Sequence, residues 1–463
     1  MHIDSFLIAR WPKLAWHATW SRHGKVISVH HGANVEIRND RIFEGVWDGD
    51  FKKGEFDRSS VFTGTGLVVR NEEVALIPPI DFTLGYIYVS PPNDFGEVHA
   101  SNSLLCWLQQ TGHQLHPAYA DYYADFIRIA QQGASDTLPT LPLSGGAEVG
   151  VVYLAPLVAG PDADRRLPGN QGPVFEPNFS AYRQFLTTSL NRILQNACDP
   201  SRIAPLHPVV PISEGFDSTA VAALAKELGV KDSYTILGRE DARQIGKRLN
   251  LNVVPKHRLG SLFFNTQTNL EFFAMPGGLN RTQALFESTH RNAFLLTGYG
   301  GDRIWCVEAQ YKEGLSIPTL KSFGGLSSLE YRLRVGYQTL GIPLIGIWHH
   351  SIVNRIARDP EMATWMEPDQ AKHKSRPFAR RLGVEAGVPA SLFGQKKVAG
   401  GIVFPTTFKG LWHLSFKRYL KRIPNPTATQ LQPGEFPILH GSPYRWAMHW
   451  AHEKLKGRYE IRR

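Results

Sequence analysis

The stretch 207–229, HPVVPISEGFDSTAVAALAKELG, decides how the rest of the chain is read. HPVVPIS (207–213) is a short apolar run rich in branched residues, the pattern of a buried strand. TAVAALAKELG (219–229) puts Val221, Leu224, Ala225 and Leu228 on one helical face and stops at Gly229. Between them lies a strand-to-helix turn of small and polar residues. On the N-terminal side, AYRQFLTTSLNRILQNA (181–197) has apolar residues at 182, 185, 186, 190, 193 and 194, one face of a helix. On the other side, SYTIL (233–237), LNVVP (251–255) and AFLLTG (293–298) read as strands, and EDARQIGKRLN (240–250) as a helix. Alternating strands and helices predict an α/β fold with a parallel, doubly wound sheet. Such sheets bind ligands beyond the carboxyl ends of their strands. After about residue 315 the pattern is mostly helical.

The N-terminal part reads differently. KVISVHH, NVEIRN, SSVFTGTGLVVR, EEVALIPP and FTLGYIYVS are short Val-, Ile-, Phe- and Tyr-rich runs punctuated by Gly, Asn and Asp, as strands and turns are. Helical spacing follows from Asn102 to Gln132, then a Gly- and Pro-rich tract. We therefore expect a β-rich domain over 1–150, a linker over 151–177 and an α/β domain over 178–463. The length, 463 residues, suits about two to three domains. A hydrophobic share of 42% against 20% charged residues excludes wholesale disorder. Lys plus Arg number 51 and Asp plus Glu 41, a difference of +10. That mild excess fits scattered surface charge or an anionic small-molecule partner, and alone does not call for nucleic acid. Cys106, Cys198 and Cys306 form no spaced pair, against a disulfide framework or zinc ribbon. The start, MHIDSFLIARWPK, lacks the basic-then-apolar pattern of a signal peptide. No run reaches the ~18 apolar residues of a membrane helix. The expectation is a cytoplasmic protein without a membrane partner. His30–His31, His349–His350 and the tryptophans Trp11, Trp16 and Trp20 read as structural.

Two loops carry chemistry. In PISEGFDST, backbone N–H groups at the helix start attract phosphate, and hydroxyls of Ser213, Ser218 and Thr219 donate to phosphate oxygens. Asp217 is a carboxylate of the kind Mg²⁺ takes together with phosphate oxygens. In LLTGYGGDRIW (295–305), Gly298, Gly300 and Gly301 allow close backbone approach, and Asp302 follows 85 residues after Asp217. Side by side, the two carboxylates would share one Mg²⁺.

SEGFDST is similar to the SGGxDS loop of the N-type ATP pyrophosphatases. With TGYGGD downstream, residues 178–410 resemble the synthetase domain of class B asparagine synthetases and β-lactam synthetases. The resemblance implies an adenine-nucleotide α-hydrolase-like sheet, and ATP and Mg²⁺ as cofactors. It implies activation of a small-molecule or peptide carboxylate as its adenylate, then attack by an amine. Carried over by residue, Ser213, Gly215, Asp217 and Ser218 match the pyrophosphate loop, with Asp217 and Asp302 as metal ligands. Tyr299 and Glu330, 31 residues apart, match a proton-accepting dyad. In LFGQKKVAGG (392–401), Lys396, with Lys397 as alternate, matches the lysine that stabilises developing charge. The basic segment before it, with Lys372, Lys374, Arg376, Arg380 and Arg381, reads as a solvated helix face.

The chain departs from the family in two places. The N-terminal domain, in the family a glutaminase of Ntn-amidotransferase fold, lacks the nucleophile. Position 2 is His2 and the first cysteine is Cys106, so no glutaminase activity is expected. Glu214 stands where the pyrophosphate loop carries glycine, which puts a negative charge near a triphosphate. Two rivals stand beside this reading: a non-catalytic protein of the same fold, motivated by Glu214, and a tRNA-modifying pyrophosphatase, motivated by the +10 charge. The late position of the loop and the lack of a cysteine pair speak against the latter.

Overall fold

The computed structural model describes residues 1–80, 85–91, 96–116, 137–161, 163–168, 174–237, 241–257, 292–307, 329–346, 349–366, 375–395 and 450–461, with 119, 122, 125, 126, 128, 129 and 271. The fold is mixed α/β, with a β-rich N-terminal region and a parallel sheet after it.

The N-terminal strands are β1 (His2–Leu7), β2 (Trp16–Ser21), β3 (Val26–His31), β4 (Glu36–Arg38), β5 (Arg41–Glu44), β6 (Thr65–Arg70), β7 (Glu73–Ile77), β8 (Ile87–Val89), β9 (Glu97–Ser101), β10 (Thr140–Pro142), β11 (Glu148–Val152), β12 (Leu157–Ala159) and β13 (Asp164–Arg166). They form a seven-stranded sheet, β1-β3-β2-β9-β8-β11-β10, and a six-stranded one, β13-β12-β7-β6-β5-β4. Alternate residues of both sheets meet in one core: Trp16, Ala18, Trp20, Ile27 and Val29 from the first, Ile42, Leu67, Val74 and Leu76 from the second. Helix α1 (Leu104–Thr111) packs with the first sheet, Trp107 Nε1 donating to the His99 carbonyl at 3.1 Å. The expected linker is corrected here. Residues 151–166 complete β11 and supply β12 and β13, because VVYLAPLVA is an apolar run that the two sheets bury.

Helix α2 (Phe179–Ala197) follows. Its start is capped by the Asn178 side chain, which accepts the Ala181 N–H at 2.8 Å. Among the described residues the parallel sheet has five strands: β14 (His207–Pro211), β15 (Asp232–Leu237), β16 (Asn252–His257), β17 (Ala293–Thr297) and β18 (Gln338–Gly341). Their order is β16-β15-β14-β17-β18, every pair parallel. Numbered within the sheet this is 3-2-1-4-5, so the winding reverses between β14 and β17. Helices α3 (Phe216–Glu227) and α4 (Arg243–Arg248) lie between its first strands. Then come α5 (Gly301–Ile304), α6 (Leu329–Val335), α7 (His350–Arg358) and α8 (Pro377–Glu385). Strand β18 falls where the sequence pattern is read as helical; it has four residues, and its first two, Gln338 and Thr339, are polar though buried. Among the described residues no helix is long and apolar enough to cross a membrane.

A buried ion pair joins the two regions. Arg332 on α6 grips Glu44 on β5 with both terminal nitrogens, each at 2.8 Å. Gln338 Nε2 and Thr65 Oγ1 donate to the same carboxylate at 2.7 and 2.9 Å, and Trp16 Nε1 donates to Thr65 Oγ1 at 3.0 Å. Breaking such a pair from one side strands a buried charge. Arg332→Met should therefore cost about 3–5 kcal/mol in thermal or denaturant unfolding. The double variant Glu44→Leu, Arg332→Met should regain much of that loss; additive losses would show that the two do not act as a unit.

A second test concerns pH. His17 on β2 lies opposite His30 on β3, and its ring centroid is 5.4 Å from that of His99 on β9. Burial first, then His99 and His30, lower the His17 pKa from 6.5 to about 3. Below pH 6.5 the unfolded chain binds a proton that the folded one refuses. Stability should thus fall from pH 6.5 towards 3, by up to about 1.4 kcal/mol per pH unit. Melting curves across this range should be flatter for His17→Gln; an unchanged slope would clear His17 as the cause.

Candidate functional site

The loops after β14 and β17 sit at the carboxyl ends of the two strands that flank the reversal of winding. Open parallel sheets form their ligand crevices there. In the first loop, the Ser213 and Ser218 hydroxyls lie 2.7 Å apart. Ser213 Oγ accepts the Gly215 N–H at 3.2 Å, and Ser218 Oγ accepts the Ser213 N–H at 3.2 Å. The residues thus hold each other in a tight bowl at the start of α3. No side chain caps that helix, so the bowl is lined by its leading N–H groups.

Thr219 is corrected. It is fully buried, and its hydroxyl donates to the Gly215 carbonyl at 2.9 Å. It braces the first turn of α3 and does not face a ligand. Glu214 also differs from the expected clash with phosphate: its carboxylate reaches to the Asp241 N–H, which donates at 3.0 Å.

The second loop lies directly on the first. A Cβ at Gly301 would stand 2.4 Å from Asp217 Cγ and 2.6 Å from its Oδ1. One at Gly298 would stand 2.8 Å from both Asp217 Cβ and the Ser218 nitrogen. Only glycine lets the loops approach so closely. Gly300 has φ of +85° and starts α5, and Tyr299 beside it is half-buried, its N–H donating to Thr297 Oγ1 at 3.4 Å. Asp302 follows Gly301 directly and is exposed.

A third segment closes the site. The Gly394 N–H donates to the Glu214 carbonyl at 2.7 Å, and the Phe393 and Phe216 rings meet edge-on at 5.7 Å. Lys396 and Lys397 lie outside the described residues, as do 371–374 of the basic segment. Arg376 corrects the solvated-face reading: its Nη1 is 3.4 Å from Asp217 Oδ2, and both side chains are mostly buried. Arg381 departs from that reading as well: its side chain is mostly buried, paired with Glu361 and Glu385 and lying 3.8 Å above the Phe179 ring. Nothing in the spacing of the basic residues singles out Arg376; only its place before Pro377 at the start of α8 sets it apart.

The Tyr299–Glu330 dyad is not what these residues form. Glu330 is buried, and its two oxygens accept from Ser103 Oγ and, at 2.8 Å, from Tyr459 OH. Burial is the main cause that raises its pKa, opposed by Arg458 and by these two hydrogen bonds. Burial, and after it Glu330, drive the Tyr459 hydroxyl well above its usual range. Ser103 also caps α1, accepting the Cys106 N–H at 3.0 Å. The sequence carries no signal for this cluster, since Ser103 and Glu330 are 227 positions apart.

The donor set fits Mg²⁺ with phosphate: two carboxylate residues on adjoining loops, a bowl of N–H and hydroxyl donors, and an arginine. Among the described residues no group of three or more His, Cys, Asp or Glu is placed to hold a metal by itself, so such an ion would draw its remaining ligands from phosphate and water. A scan against models of known protein families finds no match, and a search of characterised protein sequences finds none either.

The close approach gives a test of the site's geometry. Gly301→Ala must push Asp217 aside and should destabilise the protein by about 1–3 kcal/mol. Gly215→Ala, with φ of −83° and its nearest neighbours the Ser213 and Ser218 hydroxyls at 3.2 and 3.8 Å, should cost less. Equal losses in calorimetric unfolding would contradict this contact.

Proposed function

We propose that the chain is an ATP- and Mg²⁺-dependent, amide-forming ligase of the asparagine synthetase-like class. It adenylates a carboxylate of a small molecule or peptide with release of pyrophosphate. It then joins the acyl group to an amine or free ammonia not drawn from glutamine, releasing AMP. The observation that supports this is the meeting of three motifs. TGYGGD and the start of LFGQKK, more than 80 and 170 positions downstream, both contact SEGFDST at the reversal point of the sheet. The strand order and the stacked N-terminal sheets support the implied adenine-nucleotide α-hydrolase-like and Ntn-like folds.

In this reading the N-terminal N–H groups of α3 and the Ser213 and Ser218 hydroxyls hold the phosphates. Asp217 and Asp302 hold Mg²⁺, which when bound offsets phosphate charge. Arg376, already on Asp217, adds positive charge at the same place. Lys396, two positions after Gly394, is assigned the same task at the reacting carbonyl. Tyr299, on the loop whose glycines rest on Asp217, is assigned removal of the amine proton. One observation favours a second reading, a non-catalytic nucleotide-binding protein: the carboxylate that would orient Tyr299 is spent on Ser103 and Tyr459.

Titration calorimetry with α,β-methylene-ATP should show Mg²⁺-dependent binding that Asp217→Ala abolishes. With a panel of carboxylates and hydroxylamine as the amine, ATP should yield AMP and pyrophosphate. ADP and phosphate would exclude adenylation. Binding without turnover across the panel would favour the second reading.

A further inference from the structure

Glu214 replaces a glycine of the resembled loop, yet its carboxylate does not face the bowl. It accepts the Asp241 N–H at 3.0 Å, just beyond the end of β15. Asp241 in turn accepts the Arg243 N–H at 3.1 Å and ion-pairs with its guanidinium at 2.5 Å, fixing the start of α4. The Glu214 carbonyl accepts from Gly394 at 2.7 Å. One residue therefore ties the loop after β14 to the loop after β15 and to the segment at 393–394. A glycine would keep the second tie and lose the first.

We propose that Glu214 is a positioning residue that sets the spacing between the phosphate bowl and the loop after β15. This rests on the nucleotide reading above. Strand β15 neighbours β14 on the side away from β17. A ligand that fills the bowl with phosphate and extends over the end of β15 feels that spacing; a ligand confined to the bowl does not. The residue thus favours a nucleotide over free pyrophosphate.

The test compares wild type, Glu214→Gly and Glu214→Gln by calorimetry with Mg²⁺, using α,β-methylene-ATP and inorganic pyrophosphate. Glu214→Gly should weaken the nucleotide analogue by about tenfold, the scale of one lost hydrogen bond to a charged group. Pyrophosphate should change by less than about twofold, because its contacts are confined to the bowl. Glu214→Gln keeps an acceptor oxygen and should restore nucleotide binding. Wild-type affinities in Glu214→Gly, an equal loss of both ligands, or tighter binding of both would each overturn the proposal. The last result would show that the charge itself opposes phosphate. If wild type binds neither ligand, the nucleotide reading falls first and this inference with it.

Discussion

The carboxylate of Glu44 lies with no access to water, and the fold depends on how it is satisfied. Arg332 meets it through two parallel hydrogen bonds, and Gln338 and Thr65 take remaining acceptor positions. A buried carboxylate with this many donors tolerates little displacement. The four side chains come from the six-stranded sheet on one side and from α6 and β18 on the other. The edge of the parallel sheet is thereby indexed to the β-sandwich. Because β18 pairs with β17, whose loop carries TGYGGD, the register imposed at Glu44 passes one strand over to the loop that rests on Asp217.

The site obeys a different constraint, that of space. Two loops from the central strands approach until the glycines of one touch the carboxylate of the other. The first loop is braced from within by paired hydroxyls and from below by Thr219. Its outer wall is held by Gly394. Charge then collects at this contact: Asp217, Arg376 and a helix start.

Much of this was legible in the sequence. The strands β14 to β17 and the helices α2 and α3 follow from periodicity and punctuation, because local patterns report local structure. Glycine, serine and aspartate are common at such turns, and the two loops stood out because a pair of them follows strands of one α/β domain. What was hidden depends on distant partners. Gln338 is a polar residue in a strand, buried because Glu44 and Arg332 are there to receive it. The run VVYLAPLVA, interrupted by Pro156, passed for a connector until two sheets enclosed it. Glu330 carries an acidic side chain in a helical pattern, and nothing local says that a serine on α1 and a tyrosine near residue 459 will claim it. Arg376 hid among like charges.

The cap of α1 has a consequence for the order in which the molecule can be made. Ser103 donates to Glu330, which the ribosome adds 227 residues later, and Tyr459 arrives 129 residues after that. At about 5–20 residues per second, the first wait lasts roughly ten to forty-five seconds. Over that time the emerging sandwich displays an incomplete seam where Ser103 and Glu44 belong to partners still unsynthesised. Its closure is a late event of biosynthesis, and the nascent half is the species that a chaperone or protease would meet.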